Sequence, residues 1–165
     1  MGIKKDYGKT DLYNAGYAFF RGGAEDSAVA VFNKYTAKFP DDIFGYYMIG
    51  KAYAAVDTTG TLGLAVPAYQ KAIQIGEAAA DKEKVKNQLI GSYKYFIEYQ
   101  YNVMKSQDSA LYYLDKAIAL DPADTQLQAN KEFISKNDPK AAPQRKPQPP
   151  KTPAPPAKPK TPKKK

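Results

Sequence analysis

Acidic side chains that stand close together are the first candidates for chemistry in this sequence, because paired carboxylates can act as general acid and base. Three pairs occur: Glu25/Asp26, Asp41/Asp42 and Asp121/Asp124. Each pair lies at a turn or at the start of a predicted helix, where a carboxylate caps the helix and complements its dipole. We therefore interpret all three pairs as capping residues and not as a catalytic centre.

The residue types that most enzymes and metal sites need are missing. The 165-residue chain contains no histidine and no cysteine, which removes the commonest general base, the thiol nucleophile and the usual nitrogen and sulfur metal ligands. No glycine-rich phosphate loop occurs, since Gly22-Gly23 is interpreted as a helix end. The sequence predicts a protein that is not an enzyme and has no catalytic, cofactor-binding or metal site.

Positive charge is concentrated at the C-terminus. Residues 138–165 hold nine Lys/Arg and one acidic residue, whereas residues 1–137 hold 16 of each. Ten of the 13 prolines lie in the same segment, which has no large apolar residue, so we expect a disordered tail with polyproline character. Its candidate contacts to an anionic surface are Arg145, Lys146, Lys151, Lys158, Lys160, Lys163, Lys164 and Lys165.

Two interpretations of this tail stay open. Its charges can neutralise phosphates of a nucleic acid or meet another anionic surface, but it offers no aromatic residue for base stacking. It is equally consistent with a solvated end. The chain has no apolar stretch near the roughly 20 residues of a membrane span, so we expect a cytoplasmic protein if the sequence is complete. A periplasmic or cell-envelope location is expected if it is an excerpt from a longer exported protein.

Helical periodicity dominates the rest of the chain, which we divide into a flexible lead-in (1–8) and a helical domain (9–137). Helices are predicted at about 10–21, 25–38, 43–56, 64–75, 82–105, 109–120 and 124–136. Ala28, Ala65 and Ala110 each precede a large apolar residue by four positions, which places both on one helix face. We expect these three alanines to be buried where helices meet.

This pattern resembles the tetratricopeptide repeat (TPR), in a bacterial-type form with lengthened repeats. The residues that carry the resemblance are Leu12, Gly16, Phe19, Ala28, Phe32 and Pro40; Tyr46, Gly50, Tyr53, Ala65, Tyr69 and Ala72; and Gly91, Ala110, Leu114, Ala117 and Pro122. The spacing departs from about 34 residues, because Ala28 and Ala65 are 37 apart and Ala65 and Ala110 are 45 apart. We expect the extra residues of the third unit to lengthen a helix.

The resemblance implies an all-α fold: a short right-handed α-solenoid of three helix pairs, a C-terminal capping helix and the tail. It also implies a concave groove that holds a peptide or a protein partner, in a monomer or weak oligomer. The groove positions carried across are Tyr13, Tyr17, Phe20, Phe44, Tyr47, Lys51, Gln88, Ser92, Tyr95 and Tyr99. Tyr13 and Tyr17 stand where the family's carboxylate clamp uses Lys and Asn, so no such clamp is expected. The alternative is a structural domain that tethers a larger assembly through its basic tail.

Overall fold

Seven α-helices make up the part of the chain that the computed structural model describes, residues 7–141. They are α1 (Lys9–Arg21), α2 (Glu25–Lys38), α3 (Ile43–Val56), α4 (Val66–Ala78), α5 (Lys86–Glu98), α6 (Gln107–Leu120) and α7 (Thr125–Lys136). A 3₁₀ turn, Glu83–Val85, leads into α5, and a π-helical turn, Tyr99–Val103, follows it. The long helical segment predicted at about 82–105 is therefore one continuous helical stretch that is 3₁₀-helical first, then α-helical and then π-helical.

Each helix packs against the next one along the chain, and the first helices of neighbouring pairs also meet, α1 with α3 and α3 with α5. The described residues thus form an all-α solenoid of three helix pairs, with α7 packed on the last pair. Ala28, Ala65 and Ala110 are at most 1% exposed, which confirms that they lie where helices meet.

Glycine allows the closest helix approach within the first two pairs. A Cβ atom on Gly16 would lie 2.7 Å from the Phe32 ring, and one on Gly50 would lie 2.9 Å from the Tyr69 ring. Both distances are shorter than van der Waals contact, so a larger residue would push the second helix away. The repeat in the sequence therefore corresponds to a glycine-to-ring contact that recurs in two successive helix pairs.

Side-chain caps fix several helix starts. The Asp42 carboxylate accepts a hydrogen bond from the Phe44 amide at 2.9 Å, and the Asp124 carboxylate accepts one from the Gln126 amide at 2.9 Å. The capping role predicted for these two aspartates is confirmed. The sixth helix was predicted to start at about residue 109, but α6 begins at Gln107, with Ser106 and not Asp108 as its N-cap.

The first helix presents more apolar surface to solvent than its sequence predicts. Leu12 and Gly16 are buried, but Ala15 and Phe19, expected on the same side, are exposed. Ala15 lines a surface pocket together with Val31 and Lys34 of α2, so it lies at the edge of the contact between α1 and α2.

The described chain continues past α7. Residues 138–141 form a turn in which Pro139 is buried, and the Tyr101 hydroxyl donates to the Asn137 carbonyl at 3.0 Å. The predicted anion-binding residues, from Arg145 to Lys165, lie outside the described residues, as do residues 1–6 of the predicted lead-in.

One polar network joins three helices and gives a pH prediction. The Glu77 carboxylate of α4 accepts from Tyr93 of α5 at 2.7 Å and pairs with Lys116 of α6 at 2.6 Å. The Lys116 hydrogen bond, helped by the one from Tyr93, holds the pKa of Glu77 below its ordinary value of 4.5, while partial burial opposes this. A lowered folded-state pKa adds stability that is present above the ordinary value and is lost as the pH falls through the folded one.

We therefore expect Glu77→Gln to reduce the loss of unfolding free energy between pH 7 and pH 3, measured by urea titration at both pH values. Glu132→Gln is the matched control, because the Glu132 side chain is 68% exposed and its variant should keep the full pH dependence. The remaining dependence is expected from Asp42 and Asp124, whose pKa values are also lowered. An unchanged pH dependence in Glu77→Gln would contradict this assignment.

Candidate functional site

The surface along which α1, α3, α5 and α7 follow one another is called the groove here. Between α1 and α3 its wall is aromatic. The ring centroids of Tyr13 and Phe44 are 4.5 Å apart, and those of Tyr13 and Tyr17 are 6.0 Å apart in a stacked pair. Tyr13 and Tyr17 are 37% and 38% exposed, so their rings are held in place by packing while more than a third of each residue faces solvent.

A lysine stands in the middle of this wall. The Lys51 ammonium lies 5.1 Å from the centre of the Phe20 ring and 5.8 Å from the centre of the Tyr47 ring. A cation within about 6 Å of an aromatic face is attracted by the ring quadrupole. The Lys51 side chain is thereby fixed between α1 and α3, and its charge is partly satisfied within the groove.

Between α3 and α5 the contact is closer. Tyr47 is half-buried and its ring covers Gly91, where a Cβ atom would lie 2.7 Å from the ring. Burial raises the pKa of the Tyr47 hydroxyl, which therefore stays protonated. Tyr47 is in part a packing residue that joins two helix pairs, and only its outer edge is open to a ligand.

The position of Gly91 fixes the register of α5. The ring of Tyr13 on α1 contacts Phe44 on α3, the first helix of the next pair. The ring of Tyr47 on α3 contacts Gly91 on α5 in the same way, so Gly91 is the equivalent of Phe44. Tyr47 follows Phe44 by three residues and Lys94 follows Gly91 by three, so Lys94 is the equivalent of Tyr13 and Tyr47. Tyr13 and Tyr47 are 34 residues apart, whereas Tyr47 and Lys94 are 47 apart.

This register corrects the groove residues expected from the third unit. Ser92 is fully buried, and its hydroxyl donates to the Gln88 carbonyl at 2.8 Å. Tyr95 stacks on Tyr69 of α4 with ring centroids 4.5 Å apart, and Tyr99 lies 5.9 Å beyond Tyr95. Ser92, Tyr95 and Tyr99 therefore do not form the α5 wall of the groove, and Gln88 lies in the added first turn of α5, before Gly91. The residues equivalent to Tyr13, Tyr17 and Phe20 are Lys94, Glu98 and Tyr101.

The sequence misplaced this wall because the extra residues precede it. Residues 57–65 replace the short connection 22–24 of the first pair, and residues 79–85 replace the connection 39–42. In addition, α5 begins about one turn before the point that corresponds to the start of α3. Counting back from Ala110 gives the register of α5 to within one residue. Ile97 follows Lys94 by three residues, as Gly16 follows Tyr13, and it precedes Ala110 by 13 residues where Gly16 precedes Ala28 by 12. The π-helical turn absorbs the one extra residue.

The far end of the groove is more polar. The Lys94 ammonium pairs with the Asp124 carboxylate at 3.2 Å, with both side chains partly exposed. The Tyr101 and Phe133 rings are 6.1 Å apart in an edge contact, which corresponds to the Phe20–Lys51 contact at the other end. The groove therefore passes from an aromatic wall at α1 and α3 to a mixed wall of charge and aromatic rings at α5 and α7.

Residues 7–141 do not bring three or more acidic side chains together in a way that could hold a metal ion. Across the same range, none of the helices has both the length and the apolar character required to cross a membrane.

Comparison with known proteins agrees with this architecture. The chain is similar to the solved structure of the C-terminal part of a TPR repeat-containing protein from Cytophaga hutchinsonii, with 25% sequence identity and a TM-score of 0.70. The similarity covers 78% of this chain and 49% of that one. This chain has a TPR-like helical repeat fold. No family model matches the sequence, and no curated protein matches it.

A TPR-like fold is typical of protein-interaction scaffolds that carry out no catalysis. The chain spans about half the length of the protein chain that it matches.

Proposed function

We propose that this protein belongs to the TPR family and is a non-catalytic interaction scaffold that docks an extended segment of a protein partner along the groove. The observation that carries the proposal is the exposed pair Tyr13 and Tyr17 at the aromatic end. Each ring offers a large area and a polar tip, and its packing on a neighbour means that little entropy is lost when a partner covers it.

The order of side chains along the groove suits an extended polypeptide. Successive first helices are about 8–10 Å apart, which is close to the rise of three residues of an extended chain, at about 3.3 Å each. A docked segment can therefore meet a new helix at about every third residue. It would pass the aromatic wall first, then the charge of Lys51 and then the mixed wall that includes Glu98.

The test compares a groove variant with a matched control. Tyr13→Ala/Tyr17→Ala removes the two exposed rings at the aromatic end of the groove, and Tyr112→Ala removes a tyrosine that is 56% exposed on α6, outside the groove. A partner captured by the intact chain should bind the double variant at least about tenfold more weakly, a loss of about 1.4 kcal/mol. It should bind Tyr112→Ala unchanged. Titration calorimetry with the purified partner measures both affinities.

The Tyr13→Ala/Tyr17→Ala variant tests the groove better than a Tyr47 variant would. Tyr47 packs on Gly91, so its removal would also disturb the fold. A full-length variant with the basic residues of the tail changed to glutamine tests the alternative, attachment through the tail. Loss of binding in that variant, together with full binding by Tyr13→Ala/Tyr17→Ala, would replace the groove by the tail as the binding element.

A further inference from the structure

A small polar cavity opens beside the groove, between the α3–α4 connection and the C-terminal end of α5. Its volume is about 170 Å³, and its walls include Asp57, Thr59, Tyr95, Glu98, Tyr99 and Asn102. Glu98 is also a groove residue, and Ala54, at the position equivalent to Phe20, lines the cavity too. The cavity therefore adjoins the groove.

The connection that forms one wall is held close to the helix by glycine. Gly60 has a φ of +69°, a left-handed conformation that glycine adopts without strain. A Cβ atom there would lie 3.3 Å from Val103 and 3.6 Å from the Tyr99 ring. The insertion in the second unit thus packs directly on the π-helical turn and encloses the cavity.

The Asp57 carboxylate lines the cavity and is weakly hydrogen-bonded. Asp57 is 7% exposed, and its Oδ2 atom accepts a long hydrogen bond from the Leu64 amide, at 3.4 Å. Within residues 7–141 its Oδ1 atom has no hydrogen-bond partner, and neither Asp57 nor Glu98 forms an ion pair. The Oδ1 atom is accessible to solvent, so a cation in the cavity can reach it and pair with it.

A second group in the same wall lacks a partner. The Tyr95 hydroxyl is inaccessible to solvent and makes no hydrogen bond to any described residue. Burial, with added repulsion from Tyr99 and Asp57, raises the pKa of Tyr95 to about 12, so the group stays an O–H that can donate or accept. Because no water-sized probe reaches the hydroxyl, a ligand in the cavity can meet the Tyr95 ring but not its oxygen.

We propose that this cavity binds the ammonium group of a lysine side chain carried by the docked polypeptide. The inference rests on the proposed function of the groove and names a residue that the groove selects. The ammonium has three donors, of which two can meet the carboxylates of Asp57 and Glu98 in the cavity wall. The Tyr95 and Tyr99 rings flank the aliphatic stem and add cation–π attraction.

The lysine has two possible sources with the same chemistry. A separate protein can supply it, or the chain's own C-terminal segment can, since that segment repeats lysine beside proline and alanine. In the second case the segment would occupy the cavity and compete with any added peptide. Changing the tail lysines to glutamine in the full-length chain should then raise the apparent affinity for a lysine peptide several-fold.

The test uses the full-length chain and the peptide acetyl-Pro-Ala-Lys-Pro-amide, whose sequence occurs at 156–159, with a norleucine version as the uncharged control. In amide-resolved NMR titrations, the lysine peptide should shift the resonances of Gly60 and Asn102. It should bind at least about tenfold more tightly than the norleucine peptide. Equal binding of the two peptides, or lysine-dependent shifts elsewhere without shifts at the cavity, would overturn the proposal.

Four variants complete the experiment. Asp57→Asn and Glu98→Gln should each remove most of the preference for lysine, and two positions are used in case one variant fails to fold. Glu83→Gln, whose side chain is 81% exposed outside the cavity, should keep the full preference. Tyr95→Phe should leave lysine binding unchanged, because the Tyr95 hydroxyl is inaccessible from the cavity. Loss of the lysine preference in Glu83→Gln, or full preference in both Asp57→Asn and Glu98→Gln, would overturn the proposal.

The same titrations separate this proposal from the groove proposal. If both peptides shift the amides of Tyr13 and Tyr17 and neither shifts those of Gly60 and Asn102, the groove binds and the cavity assignment is wrong. If neither peptide shifts any amide in the groove, while a protein partner also binds Tyr13→Ala/Tyr17→Ala at full strength, the groove proposal fails and the cavity proposal fails with it.

Discussion

Replacement of Phe96 by alanine is expected to lower the free energy of unfolding by about 3–5 kcal/mol. Phe96 is 2% exposed and joins α5 to the helices on either side. Its ring lies 4.8 Å from that of Tyr113 on α6 and 5.5 Å from that of Tyr95. The cavity left by truncation would be lined by large rings that cannot move into it without breaking their own stacking. Urea unfolding followed by circular dichroism measures the change.

The matched control for this prediction is Phe133→Ala. Phe133 is 57% exposed on α7, so the same substitution there should cost no more than about 0.5 kcal/mol. Equal losses in the two variants would mean that Phe96 does not lie in the shared core of α5 and α6. The register derived for α5 would then be wrong, because it places Phe96 among the buried positions and Glu98 in the groove.

Ala110→Leu is expected to lower the free energy of unfolding by about 1–3 kcal/mol, because it adds volume where helices are in contact. Ala110 is fully buried in the core cluster that also contains Leu89 and Leu114. The added atoms would have to separate α6 from α5, which also carries the mixed wall of the groove. Equilibrium unfolding in urea measures this change as well.

The control is Ala119→Leu on the same helix, where the alanine is exposed. Both variants keep the helix propensity of α6 nearly unchanged, since alanine and leucine are both strong helix formers. Ala28→Leu and Ala65→Leu should behave like Ala110→Leu. Neutral results at all three buried alanines would contradict the packing of the repeat.

Much of the fold follows from periodicity and from small residues. The alternation of small and large apolar residues placed the seven helices, and the buried alanines, such as Ala28, marked the second helix of each pair. The capping role of Asp42 and Asp124 was also predicted correctly, because both cap helices through short-range hydrogen bonds that depend only on local sequence. Local interactions of this kind are encoded within a few residues and can be predicted without the tertiary structure.

The register of α5 could not be derived in the same way. The resemblance matched Gly91 to Gly16 of the first unit, but Gly91 faces Tyr47 of the preceding pair, whereas Gly16 faces Phe32 of its own partner helix. A glycine in a helix indicates that something approaches closely, and it does not identify which neighbour does so. Three separate lengthenings before Lys94 added to the ambiguity, since each one changes the helix face that a given spacing selects.

The cavity beside the groove lay outside what the sequence could show. Asp57 and Tyr95 are 38 residues apart and belong to no shared motif. Asp57 resembles any acidic residue that follows a helix, and only the packing of the α3–α4 connection against Tyr99 buries it. Tyr13 and Tyr17 were assigned to the groove from the resemblance alone, because aromatic residues at helical spacing belong to a core more often than to a binding surface.

Site-specific photo-crosslinking in the native host tests the central claim, that a polypeptide docks along the groove, most directly. The photoreactive residue p-benzoylphenylalanine would replace Tyr17 in the groove in one variant and Tyr112 on the outer surface in another, two positions that are both exposed. We predict that the Tyr17 variant forms a covalent adduct with a partner protein, identified by mass spectrometry, and that the Tyr112 variant does not. Adducts from position 112 with none from position 17 would contradict the assignment of the groove.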